Sequence, residues 1–331
     1  MPQMTRRTFV ASLPALAAST RLLARAQSAS IPVRGLHQVT LAVSDVGRSL
    51  EFYQGLFGMP VQARHGSKVL LGIGDGPHFL ALTDAGSGPP RIDHFGMAVE
   101  DFDADRVVRM LADHGVTQGS SGEGLSGGPG RVRVSTRGNT TEVHMGDPNG
   151  LVIELQDPRS CGGGGPAGDR CGPPEPAPSS GSLALRGFSH LTINVPDPAA
   201  TNEFFQQTFG FGIQAYQAAA PLLGAGPGEH FLMFIGAGRA PQAGINHACL
   251  TVDDFDVEHL QRALEAYGLT PRGEPRAAGP LRHWVSMRMP NRGGVPEGTP
   301  ELYFSDPDGL SIQLQDVAYC GGGGYLGGEC D

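Results

Sequence analysis

Three residues of the N-terminal half, His37, His94 and Glu154, have the types and spacing to hold a divalent metal ion. The interval from His37 to His94 nearly equals that from His94 to Glu154. Glu154 sits in "EVHMGDPNGLVIELQD" (142–157), which has a near twin, "ELYFSDPDGLSIQLQD" (301–316). Strand alternation predicts Ile153 and Leu155 on an apolar face, with Val152, Glu154 and Gln156 on the opposite, cleft-facing side. The same parity sets Phe95, Met97 and Val99 inward, leaving His94, Gly96 and Ala98 towards the cleft. Two neutral imidazoles and a carboxylate on one face of a dication leave positions open for a substrate and O2. The C-terminal half carries His190 and His247, separated by the same interval as His37 and His94, but Gln313 stands where Glu154 does. A site of two His and one amide lacks an anionic ligand, so the second site is expected to be weak or empty.

The elements that position these residues repeat four times. "LHQVTLAVSDVGRSLEFYQGLFGM" (36–59) reads as strand, turn and helix, and 92–116, 188–211 and 245–269 repeat that order. In each, a His opens a strand, an Asp follows, and an amphipathic helix ends near Gly. Shorter strand-like runs come after, giving four βαβββ modules and an α+β fold. A curved sheet with a helix on one face leaves its other face bare, so modules should pair around a cleft. The 331 residues accommodate two such pairs. The expected division is a signal peptide over 1–26, a metal-binding first domain over 33–158, a Gly/Pro-rich linker over 159–184, a second domain over 185–318, and a Cys/Gly-rich tail over 319–331.

Paired βαβββ modules, with His on the first strand and Asp-Pro-Asn/Asp-Gly before the last, resemble the vicinal oxygen chelate superfamily. That group includes glyoxalase I, bleomycin resistance proteins and extradiol dioxygenases. The resemblance spans nearly everything after residue 33 and implies metal where two modules meet. Fe(II) is the favoured ion, with Mn, Zn or Ni as alternatives. By likeness to the extradiol enzymes, His78, a short way ahead of His94, is the expected acid–base group, with His230 as its second-half counterpart. A fourth-ligand role for His78 is the alternative implied by glyoxalase I. Extradiol enzymes carry an active-site Tyr on the arm of the hairpin opposite the carboxylate. Here His144 occupies that place in the first half and Tyr303 in the second, so each half keeps part of the pattern.

Composition excludes several other classes. The formal charge of −9 falls to −13 without the first 26 residues, which hold four Arg and no acid. Neither a nucleic-acid footprint nor a polybasic membrane patch is present. Arg6-Arg7 ahead of a short apolar run, with a small-x-small site ending at Ala26, resembles a twin-arginine export signal. The run is interrupted by Pro14 and is too short to span a bilayer, so no stable membrane insertion is expected after cleavage. The mature chain is expected to be periplasmic or otherwise exported. Cysteine usage agrees: Cys161 and Cys171 enclose one Gly-rich loop and Cys320 and Cys330 another, as a disulfide in each half would. "GSSGEGLSGGPGR" (119–131) reads as a loop over the first cleft.

Three functions compete on these residues. The first is an exported Fe(II) dioxygenase taking O2 and a small, vicinal diol-like substrate. The second is a glyoxalase- or epimerase-type lyase or isomerase, in which a redox-inert metal polarises a carbonyl. The third is a non-catalytic small-molecule binding or resistance protein.

Overall fold

The computed structural model describes residues 29–120, 124–238, 242–273 and 279–330. The signal-like segment 1–26 therefore lies outside the described residues. The first half runs β1 (Val33–Val43), α1 (Val46–Phe57), β2 (Val61–His65), β3 (Lys68–Ile73) and β4 (His78–Asp84). It continues through β5 (Arg91–Val99), α2 (Ala104–Asp113), the two-residue β6 (Thr117–Gln118), β7 (Arg131–Arg137), β8 (Thr140–Gly146) and β9 (Val152–Gln156). The second half repeats the order in β10 (Leu185–Val195), α3 (Pro198–Phe209), β11 (Ile213–Gln217), β12 (Ala220–Gly224), β13 (Phe231–Gly236) and β14 (Gly244–Val252). Then follow α4 (Val257–Tyr267), β15 (Thr270–Pro271), β16 (Arg282–Arg288), β17 (Thr299–Ser305) and β18 (Ser311–Asp316). This is an α+β fold of four βαβββ modules, two with an added two-residue strand.

The recurrent Asp and Gly of the repeats have local jobs. Asp45, Asp103, Asp197 and Asp256 each cap a helix by accepting a hydrogen bond from the backbone N–H three residues on. Gly58, Gly210 and Gly268 end α1, α3 and α4 in the left-handed conformation that glycine adopts without strain.

Modules join in pairs through their first strands. In the first half the sheet order is β2-β3-β4-β1-β5-β9-β8-β7-β6, and the second half has the matching order β11-β12-β13-β10-β14-β18-β17-β16-β15. The central β1–β5 pair is antiparallel, whereas β4 and β9 flank it in parallel. One face of each sheet is apolar: Val39, Leu41, Phe95, Met97, Ile153 and Leu155 are all buried in the main core.

That core is continuous through both halves. Phe304 on β17 meets Phe57 and Phe52 of α1, with ring centroids 5.8 and 6.2 Å away. Tyr53 of α1 donates its hydroxyl hydrogen to Asp306 at 3.2 Å, and Asn149 reaches Thr201 of α3 at 3.0 Å. Burial holds the Asp306 carboxyl up at about 6. The Gly/Pro-rich segment 159–184 is also tied down. Cys161 and Cys171 are bonded, Thr140 donates to the Gly165 carbonyl at 2.7 Å, and Val61 and Glu175 exchange backbone hydrogen bonds. Cys320 and Cys330 form the equivalent disulfide in the second half.

Because Phe304 is fully buried between the halves, Phe304→Ala should cost about 3–5 kcal/mol of stability. Urea denaturation reads this, and a loss below about 1 kcal/mol would show that the shared core is not continuous in solution.

Candidate metal centre and its cleft

The face opposite the core carries the polar residues. In the first half it lines a cavity of about 640 Å³, enclosed by the curl of the sheet and by the loops after β6 and β9. The two arms of the sheet meet across it, where Arg137 of β7 donates to the neutral Nδ1 of His65 on β2 at 3.2 Å. Gly124 and Leu125 of the 119–131 loop close one side; residues 121–123 lie outside the described residues.

His94, His144 and Glu154 converge there. One donor atom from each lies within 4.8 Å of the others, and all three residues are buried. The register accounts for this. His144 on β8 is the direct partner of Glu154 on β9, and Glu154 in turn faces Gly96, two residues along from His94 on β5. Oε2 of Glu154 is 4.0 Å from Nε2 of His94 and 3.8 Å from Nε2 of His144. Metal–ligand bonds of about 2.1 Å would draw such atoms to roughly 3–3.6 Å, a small side-chain adjustment.

The donor set suits a cation. His94 Nδ1 is 2.7 Å from Asp93 Oδ2, so Nδ1 keeps its hydrogen and donates it to the carboxylate. Nε2 of His94 is then left with its lone pair, buried and without a partner, the orientation that metal-bound imidazoles use. Burial lowers the His144 pKa, which favours its neutral form. Burial alone would raise the Glu154 pKa, but the positive field of Lys68, with His144, His94 and His37, outweighs it and keeps this carboxyl low. Gln38 steadies the same carboxylate, its amide Nε2 donating to Oε2 at 2.5 Å.

Two expected residues lie elsewhere. His37 lines the cavity but is outside the His94–His144–Glu154 cluster. Its Nδ1 accepts from the Gln156 amide at 2.6 Å, and its ring leans on Phe79 at 5.4 Å. Equal intervals to the next strand-opening histidine make His37 and His190 look like counterparts, and the sheet register corrects this. Gln38 pairs with Phe79 on β4, and His190 pairs with Phe231 on β13, so His190 corresponds to Gln38. A bulge between Leu36 and Gln38 lets neighbouring residues His37 and Gln38 both reach the cleft.

His78 is not in this cleft. It adjoins Phe79, whose side chain faces the cavity, so the strand's parity sends His78 to the other side. There its ring lies 5.1 Å from that of His230, edge to face, in a crevice between the halves lined also by Arg186 and Glu229. His230 Nδ1 accepts from the Leu36 backbone N–H at 3.2 Å. The two histidines expected as separate acid–base groups therefore form a pair at the interface.

The second cleft is differently filled. His190 and His247 are adjacent, with centroids 5.6 Å apart, and Tyr303 lies 5.2 Å from His247. Burial drives the His190 pKa well down and holds His247 at about 4. The Gln313 amide lies against both imidazoles, yet neither of its polar atoms completes a hydrogen bond of normal geometry. Tyr319 closes the space: its ring is 5.5 Å from His190, and its hydroxyl donates to Glu301 at 3.0 Å. Tyr303 donates to the other oxygen of Glu301, and Arg288 approaches the same carboxylate at 3.2 Å. Sequence reasoning did not single out Gln38, Lys68, His65 or Tyr319. Alignment of "GLHQVT" with "GFSHLT" would have placed Gln38 opposite His190.

Paired βαβββ modules in two halves, with a His/His/Glu cluster in one cleft, make a scaffold that could hold a divalent metal beside a cavity of small-molecule size. The chain belongs to the glyoxalase/bleomycin resistance protein/dioxygenase superfamily, whose model matches residues 35–155 and 187–314. Among solved structures it is similar to an Mn(II)-bound glyoxalase from Novosphingobium aromaticivorans, at 16% identity, covering 86% of this chain and 82% of that one, with a TM-score of 0.60. It is also similar to a catechol 2,3-dioxygenase, at 16% identity, 86% and 87% coverage and a TM-score of 0.58. A third is the 2,3-dioxygenase LapB from Pseudomonas sp. KL28, at 16% identity, 86% and 93% coverage and a TM-score of 0.55. At these identities the likeness is one of fold. No curated protein matches in sequence.

The interface pair yields a pH prediction. Burial, helped by His78, holds folded His230 at about 4, below its ordinary 6.5. A histidine depressed on folding contributes stability in full above its ordinary pKa and loses it as the pH falls towards the folded value. Denaturation midpoints should therefore drop over that window. His230→Gln, which keeps an acceptor for the Leu36 N–H, should flatten the drop; an unaltered slope would exclude His230 as a source.

Proposed function

We propose that the first half is the working site of an exported, metal-dependent dioxygenase acting on a small, vicinal diol-like substrate. One observation carries the reading: two histidines and a glutamate, His94, His144 and Glu154, converge on a cavity of a size to take a small organic molecule. Membership of a superfamily with dioxygenases and the fold likeness to catechol dioxygenases support it. The two disulfides suit the oxidising compartment that export would reach.

In this reading His94, His144 and Glu154 hold the ion, with Fe(II) favoured because two His and one carboxylate leave open positions. When bound, the ion would bring substrate and O2 together and carry charge between them. Asp93 keeps the proton on His94 Nδ1, so that Nε2 faces the site. Gln38 orients Glu154, and together these contacts fix the donors before a substrate arrives. His37 accepts from Gln156 at Nδ1 and so holds its proton on Nε2, a buried atom without a partner. In this reading that N–H donates to an oxygen of the bound ligand, the part expected of His78. Gly124 and Leu125 line one side of the cavity.

A second reading, a redox-inert lyase or isomerase, draws on Gln38. The amide stands on β1 where the second half has His190, and a fold relative is an Mn(II)-bound glyoxalase. Oxygen uptake separates the two readings.

Glu154→Ala should lower bound metal at least tenfold and abolish oxygen uptake with catechols, as measured by elemental analysis and an oxygen electrode on the mature protein. Full metal content in that variant would sink the assignment of the centre. Turnover of α-keto substrates without oxygen uptake would favour the second reading.

A further inference from the structure

The cavity wall beside the candidate centre carries three cations, Lys68, Arg91 and Arg137. Two of them are satisfied from within the chain. Arg91 pairs with Asp93, and Arg137 donates to Glu142 at 2.6 Å. The Lys68 ammonium makes no hydrogen bond or ion pair with any described residue. Lys68 lies on the cleft face of β3 with Leu70, since the alternate residues Val69 and Leu71 enter the main core. It is half-buried, so its ammonium has given up part of its hydration without gaining a counter-ion in contact.

Charge decides what it is for. Glu154 neutralises one charge of a bound dication, leaving a net +1 at the centre, and Lys68 adds a cation inside the cavity that the exposed Asp84 of the wall offsets without touching it. Three other acids of the wall are paired with arginines, Asp93 with Arg91, Glu142 with Arg137, and Asp157 with Arg159 at 2.9 Å, whereas the exposed Asp84 accepts from the Gly86 backbone N–H at 2.8 Å. Leu70, Phe79 and Leu125 give the same cavity apolar surface. We propose that Lys68 anchors a carboxylate on the substrate, whose hydrocarbon body lies along Leu70 and Phe79 while its far end reaches the His94–His144–Glu154 cluster. A single ammonium acts as a point charge suited to a carboxylate; a phosphate dianion would call for more donors than this wall offers. The chelating end of this ligand rests on the metal reading above, whereas the carboxylate anchor does not.

Calorimetric titration of the metal-loaded full chain with 3,4-dihydroxybenzoate and with catechol tests the anchor. The carboxylated ligand should bind at least tenfold more tightly at low salt. Lys68→Met should abolish that preference, with an unchanged circular dichroism spectrum and melting temperature showing that the variant is folded. Equal affinities in the wild type, or a preference retained in Lys68→Met, would overturn the proposal. The same comparison on metal-free protein with benzoate and benzyl alcohol isolates the anchor from the centre. A benzoate preference lost in Lys68→Met supports the anchor even if the wild type binds no metal, and no benzoate preference refutes it even if metal binds.

Discussion

Everything at the candidate site depends on the antiparallel pairing of β1 with β5. Each strand opens a module, and joining them makes two four-stranded units into one curved sheet with a cleft along its bare face. The pairing sets Thr40 opposite His94, and the parallel addition of β9 to β5 then brings Glu154 beside Gly96. Gly96 is small for a reason: a Cβ there would come within 3.0 Å of the side chains of Gln38 and Gln156, the two amides that orient Glu154 and His37. One hydrogen-bonded register therefore fixes the donors from three strands, and no loop is required to place them. Sites carried on strands in this way are held more rigidly than sites on loops.

The two clefts share this scaffold and differ in what occupies it. In the second half Cys249 takes the place of Gly96 opposite the first strand, Tyr303 that of His144 and Gln313 that of Glu154. Tyr319 lies one residue before Cys320, as Ser160 lies one before Cys161. Ser160 lines an open cavity, whereas Tyr319 is buried against His190 and Glu301. A phenol in place of a hydroxymethyl group, set by equivalent disulfide loops, goes far towards explaining why the space beside His190 is filled while that beside His94 is open. The Arg137–Glu142 pair recurs as Arg288–Glu301, but in the second half the carboxylate also takes the hydroxyl hydrogens of the two tyrosines.

Most of the architecture was legible in the sequence, because it rests on signals that repeat. Four strand–Asp–helix–Gly units, two Asp-Pro-Asn/Asp-Gly turns and two equally spaced cysteine pairs each have a local physical cause. Glu154 was legible for the same reason, since Ile153 and Leu155 on either side enter the core. His37 and His78 were not. A bulge in β1 shifts the parity of that strand by one residue, and nothing in "GLHQVTLAV" marks it. In "HFLALTD" both faces are apolar after the first residue, so alternation cannot say which way His78 points. Equal intervals along the chain then matched His37 to His190, one position away from the true partner Gln38. Gln38 went unremarked because an amide beside a histidine attracts less notice than the histidine.

The continuous core between the halves has a consequence for how this chain can exist and vary. Phe304 of the second half packs on α1 of the first, so each half supplies part of the other's interior. Cut apart, both would expose apolar surface that no monomer tolerates. The second half thus behaves as a permanently tethered subunit: its own cleft has Gln313 in place of the carboxylate, yet it cannot be discarded without the loss of the first. Its residues are free to drift at the sheet's bare face but constrained where they meet α1. Substitutions should therefore accumulate between the two halves on opposite sides of the same strands.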